Sequence, residues 1–113
     1  MKSKINIFKV LSDNNRIRIL KMLQQRELCV CEITSVLKLA TSTVSQHLGI
    51  LKESGFISEV KDGKWVNYRL NYSAADPRIT AFLASLDFWT SGIGVIDNDR
   101  EELKSVDRYQ ICG

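Results

Sequence analysis

The sequence predicts a single, mostly helical domain that carries one β-hairpin. Apolar residues recur at helical spacing along most of the chain, and strand-like alternation is confined to residues 57–70. The length of 113 residues suits one modest core, and the hydrophobic content of 44% and charged content of 26% are typical of globular proteins. A core of this size is marginal alone, so we also expect a dimer.

The first half of the chain is predicted to form four helices. Ile5, Phe8, Val10 and Leu11 make a short apolar face, and the polar cluster at residues 12–15 caps a second helix over residues 16–23. A short helix over residues 32–37, a tight connection and a longer helix over residues 41–54 follow. This succession predicts a helix-turn-helix unit.

After this unit the period becomes strand-like. Residues 57–60 and 65–70 alternate around a Lys-Asp-Gly-Lys connection, and Asp-Gly between two strands is a strong hairpin signal. A hairpin directly after a helix-turn-helix is a wing, so the predicted fold is a winged helix-turn-helix. We expect residues 1–90 to form this DNA-binding domain with its dimerisation helices, and residues 91–113 to be a C-terminal extension.

The chain beyond the wing is predicted to be helical in two places. Pro77 suits the first turn of a helix that reaches residue 89, and a polar helix is expected over residues 99–106 before a C-terminal tail. The first of these helices has an apolar face that we expect to hold a homodimer together; it consists of Ile79, Phe82, Leu83 and Leu86.

The charge is unevenly distributed along the chain. Residues 1–73 carry 12 Lys and Arg against 6 Asp and Glu, a net charge of +6, whereas residues 74–113 carry 4 against 7, a net charge of −3. A basic front half suits a polyanion-binding module, although a solvated charged surface explains it equally well. No apolar run is long enough to cross a bilayer and no signal peptide is recognisable, so we expect a cytoplasmic protein without a membrane partner.

The helix over residues 41–54 is predicted to read double-stranded DNA. A helix in the major groove needs short polar side chains in its first turns and few acidic groups, and here the first acidic residue is Glu53. The predicted DNA-contacting residues of this helix are Thr41, Ser42, Thr43, Ser45, Gln46 and His47. His47, the only histidine, is interpreted as a DNA contact, with a packed structural role as the alternative.

The wing offers three cations for phosphate groups, namely Lys61, Lys64 and Arg69. The alternative is that these charges keep an exposed hairpin soluble, and both roles are compatible.

Three stretches of the chain resemble the ArsR/SmtB family of repressors. Residues 11–20 resemble its Leu-x-Asp-x-x-Arg-x-x-Ile-Leu opening, residues 43–57 its recognition helix and residues 61–70 its wing. The resemblance implies a dimer held by the first and last helices, a palindromic operator and repression relieved by a soft metal or metalloid.

The stretch Glu-Leu-Cys-Val-Cys-Glu at residues 27–32 resembles the arsenic-sensing motif of the arsenical-resistance repressors. Soft thiolates select soft ions, so Cys29 and Cys31 suit trivalent arsenic or antimony as the effector, without an organic cofactor. On a regular helix these two positions lie about 200° apart. The sulfurs therefore meet only if the backbone is extended or the helix start unwinds, and we expect ligand capture to deform this helix.

The motif departs from the family pattern at Thr34, where many relatives have a third cysteine. Cys112 is the remaining candidate for a third thiol ligand, and the alternatives are solvent, a small-molecule thiol or an inert tail cysteine. Cys29 and Cys31 have an alternative as small buried apolar residues. A zinc site on the helix after Pro77 is not expected, because residues 77–89 contain no histidine and a single acidic residue, Asp87.

Two other functions fit the same fold. The cysteines can form a redox-sensing disulfide, or the protein can be an architectural DNA-binding protein without an effector. An enzyme is not expected, since the chain has no Cys-x-x-Cys motif, glycine-rich phosphate loop or carboxylate constellation.

Overall fold

The computed structural model describes residues 6–112. Ile5 of the predicted first helix and Gly113 of the predicted tail lie outside the described part. Within it the chain forms eight helices and one three-stranded sheet, which confirms the predicted helical fold with a hairpin wing. The elements are α1 Ile7–Leu11, α2 Asn14–Gln25, β1 Leu28–Cys29, α3 Val30–Leu37, α4 Thr41–Glu53, β2 Ile57–Asp62, β3 Trp65–Leu70, α5 Pro77–Ala84, α6 Leu86–Thr90, α7 Gly94–Leu103 and α8 Arg108–Ile111. None of the described helices is long and apolar enough to span a membrane.

Short polar side chains start the first two helices. The Asn6 side chain accepts hydrogen bonds from the amides of the first turn of α1, and Asp13 Oδ1 accepts from the Asn15 amide at 2.8 Å at the start of α2. Each satisfies amides that have no partner inside the helix. The predicted cap at residues 12–15 is therefore confirmed, and α2 brings Ile19, Leu20, Met22 and Leu23 into the core.

The helix-turn-helix consists of α3, a three-residue turn and α4. Lys38 ends α3 in the left-handed conformation, with φ at 58°. In α4, Val44, Leu48 and Leu51 are buried at the predicted spacing of four and three residues. This stripe seats α4 on the core and leaves its polar side exposed.

The hairpin is closed by a two-residue turn at Gly63 and Lys64, in which Gly63 has φ at +61°. The strands extend two residues beyond the prediction on the β2 side, and Ile57 pairs with Leu70 at the core end. The strand order is β1-β3-β2, because Leu28 and Cys29 add a third strand at the edge of β3. Two residues are too short a run to show a period, so the sequence did not predict β1.

The predicted helix from Pro77 to residue 89 is divided at Ser85. Pro77 occupies the first turn of α5, as expected, and Asp76 caps the helix. The Ser85 hydroxyl donates to the Phe82 carbonyl at 3.0 Å and accepts from the Trp89 indole at 3.0 Å. Such bonds compete with the helical pattern and explain the break between α5 and α6.

Three of the four residues predicted to form the dimerisation face of this helix are placed differently. Ile79, Leu83 and Leu86 are buried in the core of the chain itself, so they are not available to a partner, whereas Phe82 is half-buried. The large apolar side chains that are most exposed on the neighbouring helices are instead Phe8, Phe88 and Trp89.

The polar helix expected over residues 99–106 begins earlier, at Gly94, and ends at Leu103. Ile96 and Leu103 are buried, and the Asp99 carboxylate forms two hydrogen bonds to the Arg18 guanidinium at 2.8 and 2.9 Å. These contacts fix α7 against α2, and the expected tail forms a further short helix, α8, against α3.

Candidate functional sites

The polar side of α4 presents most of the predicted DNA-contacting residues to solvent. Thr41, Ser42, Ser45 and Gln46 are exposed, and Thr43 is half-buried. Their side chains lie on the first two turns of a helix whose opposite side is fixed in the core. This surface has the shape and the short donors that major-groove contacts require.

His47 is placed differently, and its interpretation as a DNA contact is corrected. The residue is buried, and its Nδ1 atom accepts a hydrogen bond of 3.1 Å from Arg16 Nε. Arg16 also donates to the Val10 carbonyl at 3.1 Å, so this pair ties α4 to α1 and α2. His47 lies at the same helical face as the buried Val44 and Leu48, which is why it turns inward.

The three predicted wing cations do not lie on one face. Side chains alternate along a strand, and directly opposite residues share a face. Lys61 pairs with Val66, three residues before Arg69, so Lys61 and Arg69 point to opposite faces of the hairpin. Arg69 lies 3.8 Å from the Glu27 carboxylate, whereas Lys61 and Lys64 are exposed near the hairpin tip.

The three cysteines come together at the start of α3. The sulfur atoms of Cys29, Cys31 and Cys112 all lie within 4.8 Å of one another, and Cys31 and Cys112 are joined by a disulfide. The Cα atoms of that pair are 6.1 Å apart across 81 residues of sequence, a separation usual for disulfides. Cys29 is buried and has a free thiol, while Cys31 is exposed, so the cluster borders solvent.

The expected conflict between helical geometry and a shared ligand does not arise. Cys29 is the last residue of β1 and the N-cap of α3, with extended backbone angles of φ −93° and ψ 171°. Only Cys31 lies within the helix. The sulfurs therefore converge without unwinding, and the predicted deformation of the helix start is not needed to bring them together.

The buried Glu32 carboxylate joins the start of α3 to two arginines by hydrogen bonds. Its side chain is 2% exposed and accepts hydrogen bonds from the Cys29 amide at 2.9 Å, from Arg108 at 2.9 Å and from Arg26 at 3.0 Å. Burial raises the pKa of this carboxyl, but the bonds from the Cys29 amide and the two arginines outweigh it and hold the pKa below its ordinary value. Glu32 is therefore an ionised anchor within the core.

Arg108 connects Glu32 to the wing. Its guanidinium also donates to Asn67 Oδ1 at 2.6 Å and lies 4.8 Å from the centre of the Trp65 ring. The Tyr109 ring meets Trp65 edge-on at 5.9 Å. These contacts seat α8, and with it Cys112, between α3 and β3.

Thr34 lies one turn after Cys31 on α3, at the position where a third cysteine was expected in relatives. Its hydroxyl oxygen is buried and, among the described residues, has no hydrogen-bond partner. The position therefore holds a small, inward-facing side chain.

Sequence reasoning missed Glu32, Arg108 and Arg16 as parts of these sites. A signal existed for Glu32, because an acidic residue three positions after an N-cap is the mark of a capping box, here with Cys29 in place of serine or threonine. Arg108 binds Glu32 across 76 residues of sequence, and Arg16 binds His47 across 31 residues. No local pattern reveals such contacts.

Comparisons with known proteins agree with this architecture. Residues 13–59 match the family described as "Bacterial regulatory protein, arsR family". The arsenical resistance operon repressor of Escherichia coli (strain K12) is 40% identical over 83 residues, 73% of this chain and 67% of that protein. The cadmium resistance transcriptional regulatory protein CadC of Listeria innocua is 45% identical over 62 residues, 54% of this chain and 52% of that protein. The chain thus spans about half to two thirds of these relatives.

Solved structures show the same fold. Reduced HlyU from Vibrio cholerae superposes with a TM-score of 0.63 at 30% identity, covering 75% of this chain and 85% of that one. The homodimeric winged helix-turn-helix DNA-binding domain of Mb0332 from Mycobacterium bovis gives a TM-score of 0.60 at 25% identity, covering 75% of each chain. The sequence match to the repressor and the shared fold together show that the chain belongs to the arsR family of transcriptional repressors, DNA-binding winged helix-turn-helix proteins and not enzymes.

Proposed function

We propose that the chain represses genes by binding an operator, and that it releases DNA when Cys29, Cys31 and Cys112 capture trivalent arsenic or antimony. The observation that carries the proposal is the convergence of the three sulfurs within 4.8 Å. Sulfurs that share one centre at a bond length of about 2.3 Å, as in zinc thiolates, lie roughly 3.5–4 Å apart, so capture requires only a contraction of the cluster once the disulfide is reduced.

The donor set suits a soft, three-coordinate centre. Three thiols exchange with arsenous acid to give three arsenic–sulfur bonds, and each thiol proton leaves with one hydroxyl as water. Within residues 6–112 no other group of three histidine, cysteine or acidic ligands converges in this way. The Escherichia coli relative, an arsenical resistance operon repressor, supports arsenic, and the Listeria relative, a cadmium resistance regulator, makes cadmium the competitor to test.

The site lies where a ligand affects DNA binding. Cys29 and Cys31 start α3, which packs directly on α4, so a shift at the start of α3 is passed to the polar side of α4. We infer that Thr41, Ser42, Thr43, Ser45 and Gln46 contact bases or nearby phosphates. Lys61 and Lys64 are inferred to contact phosphates, and the ion pair with Glu27 makes Arg69 the weakest of the predicted contacts.

We infer a homodimer on a palindromic operator, with α1 and α6 at the interface. Phe8, Phe88 and Trp89 are 85%, 74% and 61% exposed, and such aromatic surface is typical of a protein interface. Sedimentation at micromolar concentration is expected to show a dimer, and Trp89→Asp to shift it towards monomer. A monomeric parent protein that binds its operator tightly contradicts this inference.

The experiment uses a DNA duplex selected by the reduced protein from a random pool. Fluorescence anisotropy of the labelled duplex is followed while arsenite, cadmium or zinc is added under reducing conditions. We expect release at the lowest concentration with arsenite, and no release from Cys29→Ser or Cys31→Ser. Both variants are expected to bind DNA as the parent does, because neither residue lies on α4 or in the wing hairpin.

The third ligand is tested by a rescue. Cys112→Ser is expected to raise the arsenite concentration needed for release, and adding Thr34→Cys to it is expected to restore the response by placing a thiol one turn from Cys31. Full release from Cys29→Ser and Cys31→Ser overturns the proposed site. An unchanged response in Cys112→Ser removes the third ligand.

The disulfide between Cys31 and Cys112 favours a second candidate function, a thiol-based redox switch. Two thiols become one disulfide and reduce hydrogen peroxide to two water molecules. The disulfide and the three-thiol site exclude each other, since both need the same two sulfurs. Cys29→Ser separates the functions, because it is expected to lose the arsenite response while Cys31 and Cys112 still respond to peroxide.

A further inference from the structure

We propose that Arg108 is the positioning residue that holds Cys112 in the thiol site, and that through Trp65 it links the state of that site to the wing. The proposal rests on the effector site proposed above. It concerns a residue that makes no contact with the effector and that lies outside the helix-turn-helix.

Cys112 depends on Arg108 for its position, because it ends a helix that is too short to stand alone. The α8 helix has four residues, and an isolated helix of that length does not persist in water. Its main polar attachments to the rest of the chain come from Arg108, which donates to the buried Glu32 carboxylate at 2.9 Å and to Asn67 at 2.6 Å. The Cys112 amide donates to the Arg108 carbonyl at 2.9 Å, so the two residues occupy one helical turn and move together.

The Trp65 ring connects Arg108 to the wing. The Arg108 guanidinium lies 4.8 Å from the centre of the Trp65 ring, and Lys64 Nζ lies 5.0 Å from the same centre. Trp65 is the first residue of β3 and directly follows the hairpin turn. One aromatic ring thus joins α8 to a cation inferred to contact phosphate, and a cation over a ring is an attractive contact.

Ligand capture adds a second restraint on α8. When the Cys31–Cys112 disulfide is reduced and no ligand is shared, Arg108 carries most of the restraint on α8. When Cys112 shares a ligand with Cys29 and Cys31, α8 is fixed at α3 and Arg108 is kept on Trp65. Capture therefore restricts Trp65 and Lys64. By linkage, the factor by which effector capture weakens DNA binding is also the factor by which bound DNA weakens effector capture.

The test uses Trp65 as its own reporter. The chain has two tryptophans, so Trp89→Phe leaves Trp65 as the only one. In this background we expect arsenite to change the Trp65 emission, and Arg108→Ala to abolish most of that change while raising the half-saturating arsenite concentration by about tenfold. Arg100→Ala is the matched control, since Arg100 is an exposed arginine of the same C-terminal segment paired with Asp97.

Tyr109→Ala provides a second variant, because it removes a ring contact to Trp65 and leaves the bond from Arg108 to Glu32. It is expected to reduce the emission change with little effect on arsenite affinity. Circular dichroism shows whether each variant is folded. If Arg108→Ala is folded and binds arsenite with the affinity and emission change of the control, the proposal is overturned.

Thiol counting distinguishes this failure from failure of the effector site. If arsenite protects no thiols of the parent protein from a thiol reagent, the proposed function fails. The positioning role of Arg108 is then tested by a second measurement that does not use arsenite. Mixtures of oxidised and reduced glutathione measure the Cys31–Cys112 disulfide, because each disulfide formed converts one oxidised glutathione to two reduced ones. Arg108→Ala is expected to lower the equilibrium constant for this disulfide about tenfold, and an unchanged constant overturns the positioning role.

Discussion

Glu32→Gln removes the charge of the buried carboxylate that joins the N-cap of α3 to Arg26 and Arg108. Glutamine keeps the size of the side chain but has one acceptor oxygen, so the arginine on that oxygen keeps a neutral hydrogen bond and the other arginine loses its acceptor. Replacing a charge-assisted hydrogen bond by a neutral one costs about 1–1.5 kcal/mol. The Arg108 side chain is 13% exposed and its bond counts in full, whereas Arg26 is 43% exposed and its bond is screened by solvent. We therefore expect a loss of about 2 kcal/mol in the free energy of unfolding.

Urea denaturation followed by circular dichroism at pH 7 measures this loss. The matched control is Glu101→Gln, since Glu101 is 68% exposed and pairs with Lys104 one turn away; we expect a change of less than about 0.5 kcal/mol. Equal stability of Glu32→Gln and the parent at pH 7 refutes the anchoring role.

The pH dependence provides a further check on Glu32. Its pKa in the folded protein lies below the ordinary value, so its stabilising contribution is complete above the unfolded pKa of about 4.3 and disappears as the pH falls through the lower folded value. The stability difference between the parent and Glu32→Gln should therefore narrow below about pH 4. A difference that stays constant to pH 3 contradicts the assigned cause.

Three other outcomes follow from the described contacts. Asp99→Ala should lower the free energy of unfolding by about 3 kcal/mol in urea denaturation, because it removes the buried carboxylate that pairs with Arg18. Asp97→Ala, which removes an exposed carboxylate of the same helix, should cost little, and equal losses in the two variants refute the role of the buried pair. Lys64→Ala should weaken binding to specific and random DNA alike and lower the slope of affinity against salt by about 0.9, and an unchanged slope removes the phosphate contact. Gln46→Ala should reduce discrimination at particular base pairs by about 1–3 kcal/mol, whereas equal losses on specific and random duplexes contradict base reading.

The elements that the sequence predicts well are those with a local cause. The α4 helix shows an apolar stripe at helical spacing, the hairpin has a Lys-Asp-Gly-Lys connection between its strands, and Asp13 is a short polar cap. Each of these signals depends on neighbours within a few residues, and the structure has each element at the predicted place, with β2 longer by two residues.

The features that the sequence does not predict depend on distant parts of the chain. His47 is polar and lies beside exposed residues, but Arg16 lies 31 residues away and binds it on the inner side of α4. The hydroxyl of Ser85 breaks a helix whose apolar period continues across it. The extended backbone at Cys29 depends on its pairing with Asn67 in β3, which is a long-range contact.

The central claim is that one trivalent arsenic centre is held by the sulfurs of Cys29, Cys31 and Cys112. X-ray absorption at the arsenic edge, on reduced protein loaded with one equivalent of arsenite, counts the sulfur atoms bound to arsenic. We predict three sulfur ligands in the parent and two in Cys112→Ser, with an oxygen in place of the third. Two sulfurs in the parent, or the same number in both proteins, contradicts the claim.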